Sequence, residues 1–133
     1  MKLSKITPLF TATDLPSLKT FYTEHFGFSV TFDGKGYLGL KSAKSPGLEM
    51  GFMLPCSENG PVFNGQGLIL CMEVDDVDGE YERLIKEGVA SKAPPTDNPW
   101  GDRSFMVTDP AGVTLYILQP IPPTAEYKAF IKE

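Results

Sequence analysis

Apolar side chains recur at helical spacing over Leu15, Leu18, Phe21, Tyr22 and Phe26, and the stripe stops at Gly27. Asp14, just ahead of Leu15-Pro16-Ser17, is a side chain able to cap such a helix. An opening strand is predicted over residues 6–13, then this helix. Three short extended segments follow at residues 28–32, 36–41 and 48–54, separated by Asp33-Gly34-Lys35-Gly36 and Ser45-Pro46-Gly47. The predicted order of the first half is β-α-β-β-β.

The second half repeats this order. An apolar strand is predicted over residues 68–74, a cap at Asp75-Asp76, and a helix carrying Val77, Tyr81, Leu84 and Ile85 that ends at Gly88. Laying Asp14-Leu15 on Asp76-Val77 brings Tyr22 onto Leu84 and the two helix-stopping glycines within one residue of each other, the mark of an internal duplication. Further extended segments are predicted at 89–92, 103–108 and 113–118, the last two joined by the turn Asp109-Pro110-Ala111-Gly112. A short final helix is predicted at 124–131. The Gly-, Asn-, Ser- and Pro-rich stretch 55–67 reads as the connection between halves. Each half offers a sheet with one helix on one face, so the other face needs a twin or a ligand.

Composition narrows the function classes. A chain of 133 residues with 41% hydrophobic and 22% charged residues suits a single globular domain. The net charge of −5, with twelve basic residues scattered from Lys2 to Lys132, argues against nucleic acid. No apolar run is long enough to span a bilayer, and the amino terminus turns polar too soon for a signal peptide, so a cytoplasmic protein without a membrane partner is expected. Cys56 and Cys71 read as free thiols, and with His25 the sole histidine no His-rich metal site can form within one chain.

Thr13-Asp14-Leu15, then Phe21-Tyr22, Phe26-Gly27-Phe28, Val74-Asp75-Asp76-Val77 and Asp109-Pro110-Ala111-Gly112 together resemble the vicinal oxygen chelate superfamily. That superfamily includes glyoxalases, bleomycin resistance proteins and extradiol dioxygenases, and the resemblance covers about residues 4–121. It implies an α+β fold in which two βαβββ modules, about 4–54 and 67–121 with a 55–66 linker, form a cup-shaped mixed sheet within one domain spanning 1–133, usually as a homodimer. Catalytic members hold a divalent metal on the cup floor, at positions that fall here near Thr7, Glu49, Ile69 and Tyr116. Only Glu49 is a usual ligand, so the resemblance points to the metal-free, bleomycin-resistance-like branch, with no cofactor and no catalytic residue. The expected function is sequestration of an aromatic or drug-like small molecule. A superfamily enzyme of lyase, isomerase or dioxygenase type with a non-standard metal or acid-base site at Glu49 is the alternative. A protein-interaction module with a filled cup is the third reading.

Seven residues carry the site expectation. Trp100, in Asn98-Pro99-Trp100-Gly101-Asp102-Arg103, resembles a Trp-Gly-x-Arg segment whose indole stacks on ligands; a ring of this size also suits a plug at a core edge or dimer seam. Arg103 suits a ligand anion or an ion pair with a nearby aspartate. Glu49 alternates with Leu48, Met50 and Phe52, so it faces away from the helix and needs a cationic ligand or a bond from Tyr116. Tyr116 lies opposite Val113, Leu115 and Ile117, lining the cup or serving the core. Thr7 and Ile69 form the floor, and Phe63 is a lid or a loop anchor. Residues 1–66 hold six lysines against five carboxylates, and the remainder six basic residues against twelve acidic. The acidic run from Glu73 to Glu87 suits a solvated helix face better than ligand steering.

Overall fold

The structure is a computed structural model that describes residues 1–45 and 47–132. Pro46 of the expected Ser45-Pro46-Gly47 turn lies outside the described residues. The chain divides into two compact units: residues 1–66 with 109–112, and residues 67–108 with 113–133. Among the described residues, no helix is long and apolar enough to cross a membrane.

The first unit contains β1 (Leu9–Thr11), α1 (Leu15–His25), β2 (Phe28–Gly34), β3 (Tyr37–Ser42) and β4 (Glu49–Met53). Its sheet runs β1-β4-β3-β2, with β1 parallel to β4 and the other neighbours antiparallel. The second unit repeats the plan with β5 (Ile69–Glu73), α2 (Val77–Lys86), β6 (Thr96–Asn98), β7 (Asp102–Thr108) and β8 (Thr114–Pro120), ordered β5-β8-β7-β6, and adds α3 (Ala125–Lys128). Two four-stranded mixed sheets with one long helix each make an α+β fold, as the sequence pattern predicts.

Equivalent signals start and stop the two helices. The Asp14 carboxylate accepts from the Ser17 N–H at 3.1 Å, and Asp76 accepts from the Gly79 N–H at 3.1 Å, so each helix has an orphan donor satisfied. Gly27 and Gly88 follow the last turns with φ of +66° and +89°, the left-handed conformation that glycine adopts without a Cβ penalty.

Period-two alternation sorts the strand residues between faces. In the first unit Phe10, Leu38, Leu40, Met50 and Phe52 are buried with Leu18 and Tyr22 of α1. The Phe52 ring lies 5.4 Å from that of Phe10 and 5.7 Å from that of Tyr22. In the second, Phe105, Val107, Leu115 and Ile117 are buried with Val77 and Leu84, and Tyr81 meets Phe105 edge-on at 5.2 Å. Fully burying an aliphatic or aromatic side chain contributes about 1.5–3 kcal/mol, so these two stripes are the main stabilising surfaces.

Four expected elements differ in detail. The opening strand is limited to Leu9–Thr11, because Pro8 has no N–H for a ladder; its carbonyl instead accepts from Gly51 at 2.9 Å. Leu48 precedes β4 and is exposed, so the buried stripe of that strand begins at Met50. Residues 89–92 form no strand, since Ser91 Oγ donates to the carbonyls of Ala93 and Met106, and Pro94-Pro95 delays pairing until Thr96, where β6 begins. The last helix stops at Lys128, leaving Phe130 and Ile131 exposed and without the burial that would extend it.

The turn at residues 109–112 belongs to the first unit through Tyr22, whose hydroxyl donates to the buried Asp109 carboxylate at 2.5 Å. Burial, and then the Asp109 charge, push the Tyr22 phenol well above its ordinary value. The folded state thus resists forming the phenolate. Stability from this group is complete below the unfolded phenol value of about 10 and falls as pH rises past it. Tyr22→Phe should cost about 1.5–3 kcal/mol at neutral pH, the usual range for a hydrogen bond to a charged group, and should flatten the alkaline loss. Thermal melts of both proteins across the alkaline range check both effects.

Candidate functional site

On the second sheet the residues that alternate with the buried stripe converge on one carboxylate. Asp102 opens β7, opposite Asn98 of β6, and two residues further along Ser104 pairs with Leu118 of β8. Tyr116 of β8 shares this face, facing away from α2 as its alternation with Leu115 and Ile117 predicts. Asp102 is only 8% exposed. Its Oδ1 accepts from the Tyr116 hydroxyl at 2.9 Å and from Asn98 Nδ2 at 2.8 Å, and its Oδ2 accepts from Trp100 Nε1 at 2.9 Å. Asn98 Nδ2 also donates to Ser104 Oγ at 2.9 Å. A buried carboxylate needs such donors, because each unmet bond costs about 1–3 kcal/mol or more.

Trp100 is held on two sides. Its N–H edge points to Asp102, while its ring meets Tyr127 of α3 edge-on at 6.3 Å. Thr124 N–H donates to the Pro99 carbonyl at 2.9 Å, and Ile121 N–H to the Gly101 carbonyl at 2.9 Å, so the segment after β8 stitches the tryptophan loop in place. The indole remains 51% exposed, a large apolar surface with its polar edge already satisfied.

Of the residues expected from sequence, this face brings together Trp100, Tyr116 and Ile69, the last exposed in β5 opposite Thr114. Arg103 lies on the other side of β7, toward α2, where its guanidinium binds Asp78 at 3.0 Å and Asp97 at 2.9 Å. The hydrogen bonds that it donates to Asp78, then to Asp97, hold it above its ordinary value. Asn98, Asp102 and Ser104 were not singled out by sequence reasoning. The signal was available, since Asp102 and Ser104 alternate with Arg103 and so lie on the face that Arg103 avoids.

In the first unit Glu49 turns away from Met50 and Phe52 and binds Lys5 Nζ at 3.0 Å. Tyr116 donates to Asp102, so each member of the expected Glu49–Tyr116 pair is engaged within its own unit. Thr7 is half-buried, just before β1. Phe63 is anchored: its N–H donates to the Thr11 carbonyl at 2.9 Å and its ring meets Phe10 edge-on at 5.3 Å. Tyr37 lies across Gly51, where a Cβ would sit 2.7 Å from its hydroxyl oxygen, so the close approach requires glycine. A cleft of about 350 Å³ between the start of α1 and the β2–β3 hairpin is lined by Thr13, Pro16, Lys19, Asp33, Tyr37 and Leu54.

A divalent ion at the four positions implied by the resemblance does not fit these side chains. Ile69 has no donor atom, Thr7 offers a neutral hydroxyl, the Tyr116 hydroxyl serves Asp102, and the Glu49 carboxylate is paired with Lys5. Among the described residues, no three His, Cys, Asp or Glu side chains are placed to hold a metal.

The family model of the Glyoxalase/Bleomycin resistance protein/Dioxygenase superfamily matches residues 5–117. No curated protein matches the sequence. Among solved structures, a glyoxalase/bleomycin resistance protein/dioxygenase from Nocardioides superposes with a TM-score of 0.76 at 20% identity, covering 91% of this chain and 85% of the other. TnmS3, an antibiotic binding protein from Streptomyces sp. CB03234, is 29% identical with a TM-score of 0.71, covering 90% and 98%. A bleomycin resistance determinant encoded on the transposon Tn5 is 22% identical with a TM-score of 0.67, covering 89% and 98%.

The placement of the indole is directly testable. Tyr127→Ala removes one edge contact, costing about 0.5–1.5 kcal/mol, and should raise acrylamide quenching of the single tryptophan. Arg103→Gln, on the opposite side of β7, should leave that quenching unchanged.

Proposed function

Since this chain belongs to the glyoxalase/bleomycin resistance protein/dioxygenase superfamily, we propose that it is a metal-free binding protein that sequesters a small aromatic, drug-like molecule, such as an antibiotic, without altering it. The observation that carries this reading is the Trp100–Asp102–Tyr116 constellation: two aromatic side chains held by one buried carboxylate on a sheet face that α2 does not cover. Flat ligands are recognised by such rigid aromatic walls flanked by a few placed polar groups. Ile69 adds apolar area on the same face. Arg103 and Phe63 take no part in it, being committed to Asp78 and Asp97 and to Phe10. The 29% identity to an antibiotic binding protein supports the choice of ligand class. The proposal includes a cytoplasmic setting, in keeping with the free cysteines, and a homodimer, as the resemblance implies.

The test is a fluorescence titration of Trp100 with planar aromatic antibiotics, run with chelator and again with added divalent metal. Saturable quenching that is the same in both, with ligand recovered unchanged, is the expected result. Trp100→Ala, followed by calorimetry, should weaken binding by about thirtyfold, the loss of an aromatic hot spot worth about 2 kcal/mol. Binding that requires metal, or ligand recovered chemically changed, would overturn the reading.

A further inference from the structure

The uncovered face of the second sheet has an unusual charge balance. Its side chains come from alternate positions of β5, β8, β7 and β6, in the register that pairs Cys71 with Tyr116, Tyr116 with Met106 and Asn98 with Asp102. None of those positions is Lys, Arg or His, and two are carboxylates, Asp102 and Glu73. Arg103, the cation adjacent to Asp102 in sequence, points to the opposite side of the strand and is held there by Asp78 and Asp97. Asp102 is therefore buried among neutral donors, which satisfy its lone pairs and leave its charge uncancelled.

The same bonds decide what is left for a ligand. The indole N–H, the Tyr116 hydroxyl proton and the Asn98 amide protons are all directed within the network. What remains outward is the π surface of Trp100 and the ring of Tyr116. A negatively charged ligand would find few donors here and would meet a partly desolvated negative charge. A planar cation would gain both from that charge and from the face of the indole.

Resting on the binding function proposed above, we infer that Asp102 is the specificity-determining residue of this face. It orients Trp100 and Tyr116 and selects planar aromatic cations, such as ring systems bearing a protonated amine, over aromatic carboxylates and sulfonates. Asp102 is a positioning residue, acting through the two rings and through its field.

Three tricyclic probes of one shape separate charge from stacking: 9-aminoacridine as the cation, acridine as the neutral form and anthracene-9-carboxylate as the anion, titrated by calorimetry at neutral pH. The wild-type protein should bind the cation at least about tenfold more tightly than the anion, as expected for a unit charge at partly buried range. Asp102→Asn, which keeps the size of the side chain and removes its charge, should bring the two within about threefold while changing acridine binding less. The indole N–H resonance, observed by NMR without any ligand, should exchange slowly with water in the wild type and faster in Asp102→Ala. Equal binding of cation and anion by the wild type would overturn the inference and leave the binding function standing, and that comparison needs no variant. An unchanged preference in folded Asp102→Asn, or an unchanged indole N–H in Asp102→Ala, would also overturn the role given to Asp102. Failure of all three probes to bind would overturn the binding function and this inference with it.

Discussion

Each four-stranded sheet of this protein has one long helix to cover it, and that helix can cover only one face. α1 and α2 dictate which alternate residues of the strands are buried, and the pleat sends the rest to the other side. The period of two leaves no freedom in this: a one-residue slip in β8 would exchange Leu115 and Ile117 for Tyr116. The features on which the proposed function rests follow from that constraint. Tyr116, Asp102, Ser104 and Ile69 share a face because the helix has claimed their neighbours.

Placing Asp102 on that face is costly unless its oxygens are met, and the local sequence supplies the donors. Asn98 comes from the edge strand β6, Tyr116 from β8 and Trp100 from the turn between β6 and β7. A fully satisfied polar network is stiff, since moving one member breaks the bonds of the others. The exposed indole is thus fixed from beneath by Asp102 and from the side by Tyr127 and the backbone bonds of residues 121–124. A rigid aromatic surface loses little entropy when a flat ligand settles on it, the property that the proposed binding of such a ligand needs.

The fold was largely legible in the sequence because its signals are local. Asp14 and Asp76 cap, Gly27 and Gly88 stop, and the apolar stripes between them carry the helical period. The strand at residues 96–98 was not legible, because Thr96-Asp97-Asn98 has no apolar alternation and is recruited only by pairing with β7. The candidate site was half legible. Trp100 and Tyr116 stand out by residue type, whereas Asp102 reads as an ordinary polar residue beside Arg103 until the register across three strands is known. Partners distant in sequence, such as Lys5 for Glu49, were likewise hidden, because ion-pair choice among exposed side chains follows tertiary placement rather than spacing.

The central claim is that the uncovered face of the second sheet is where a ligand binds. The most direct measurement is an NMR titration of isotope-labelled protein with a planar aromatic cation, following backbone amides and the indole N–H together. Shifts concentrated on Asn98, Trp100, Asp102, Ser104 and Tyr116, saturating with one affinity, are the predicted result. Shifts concentrated instead on Thr13, Lys19, Asp33 and Tyr37, around the cleft beside α1, would contradict it and move the binding site to the first unit.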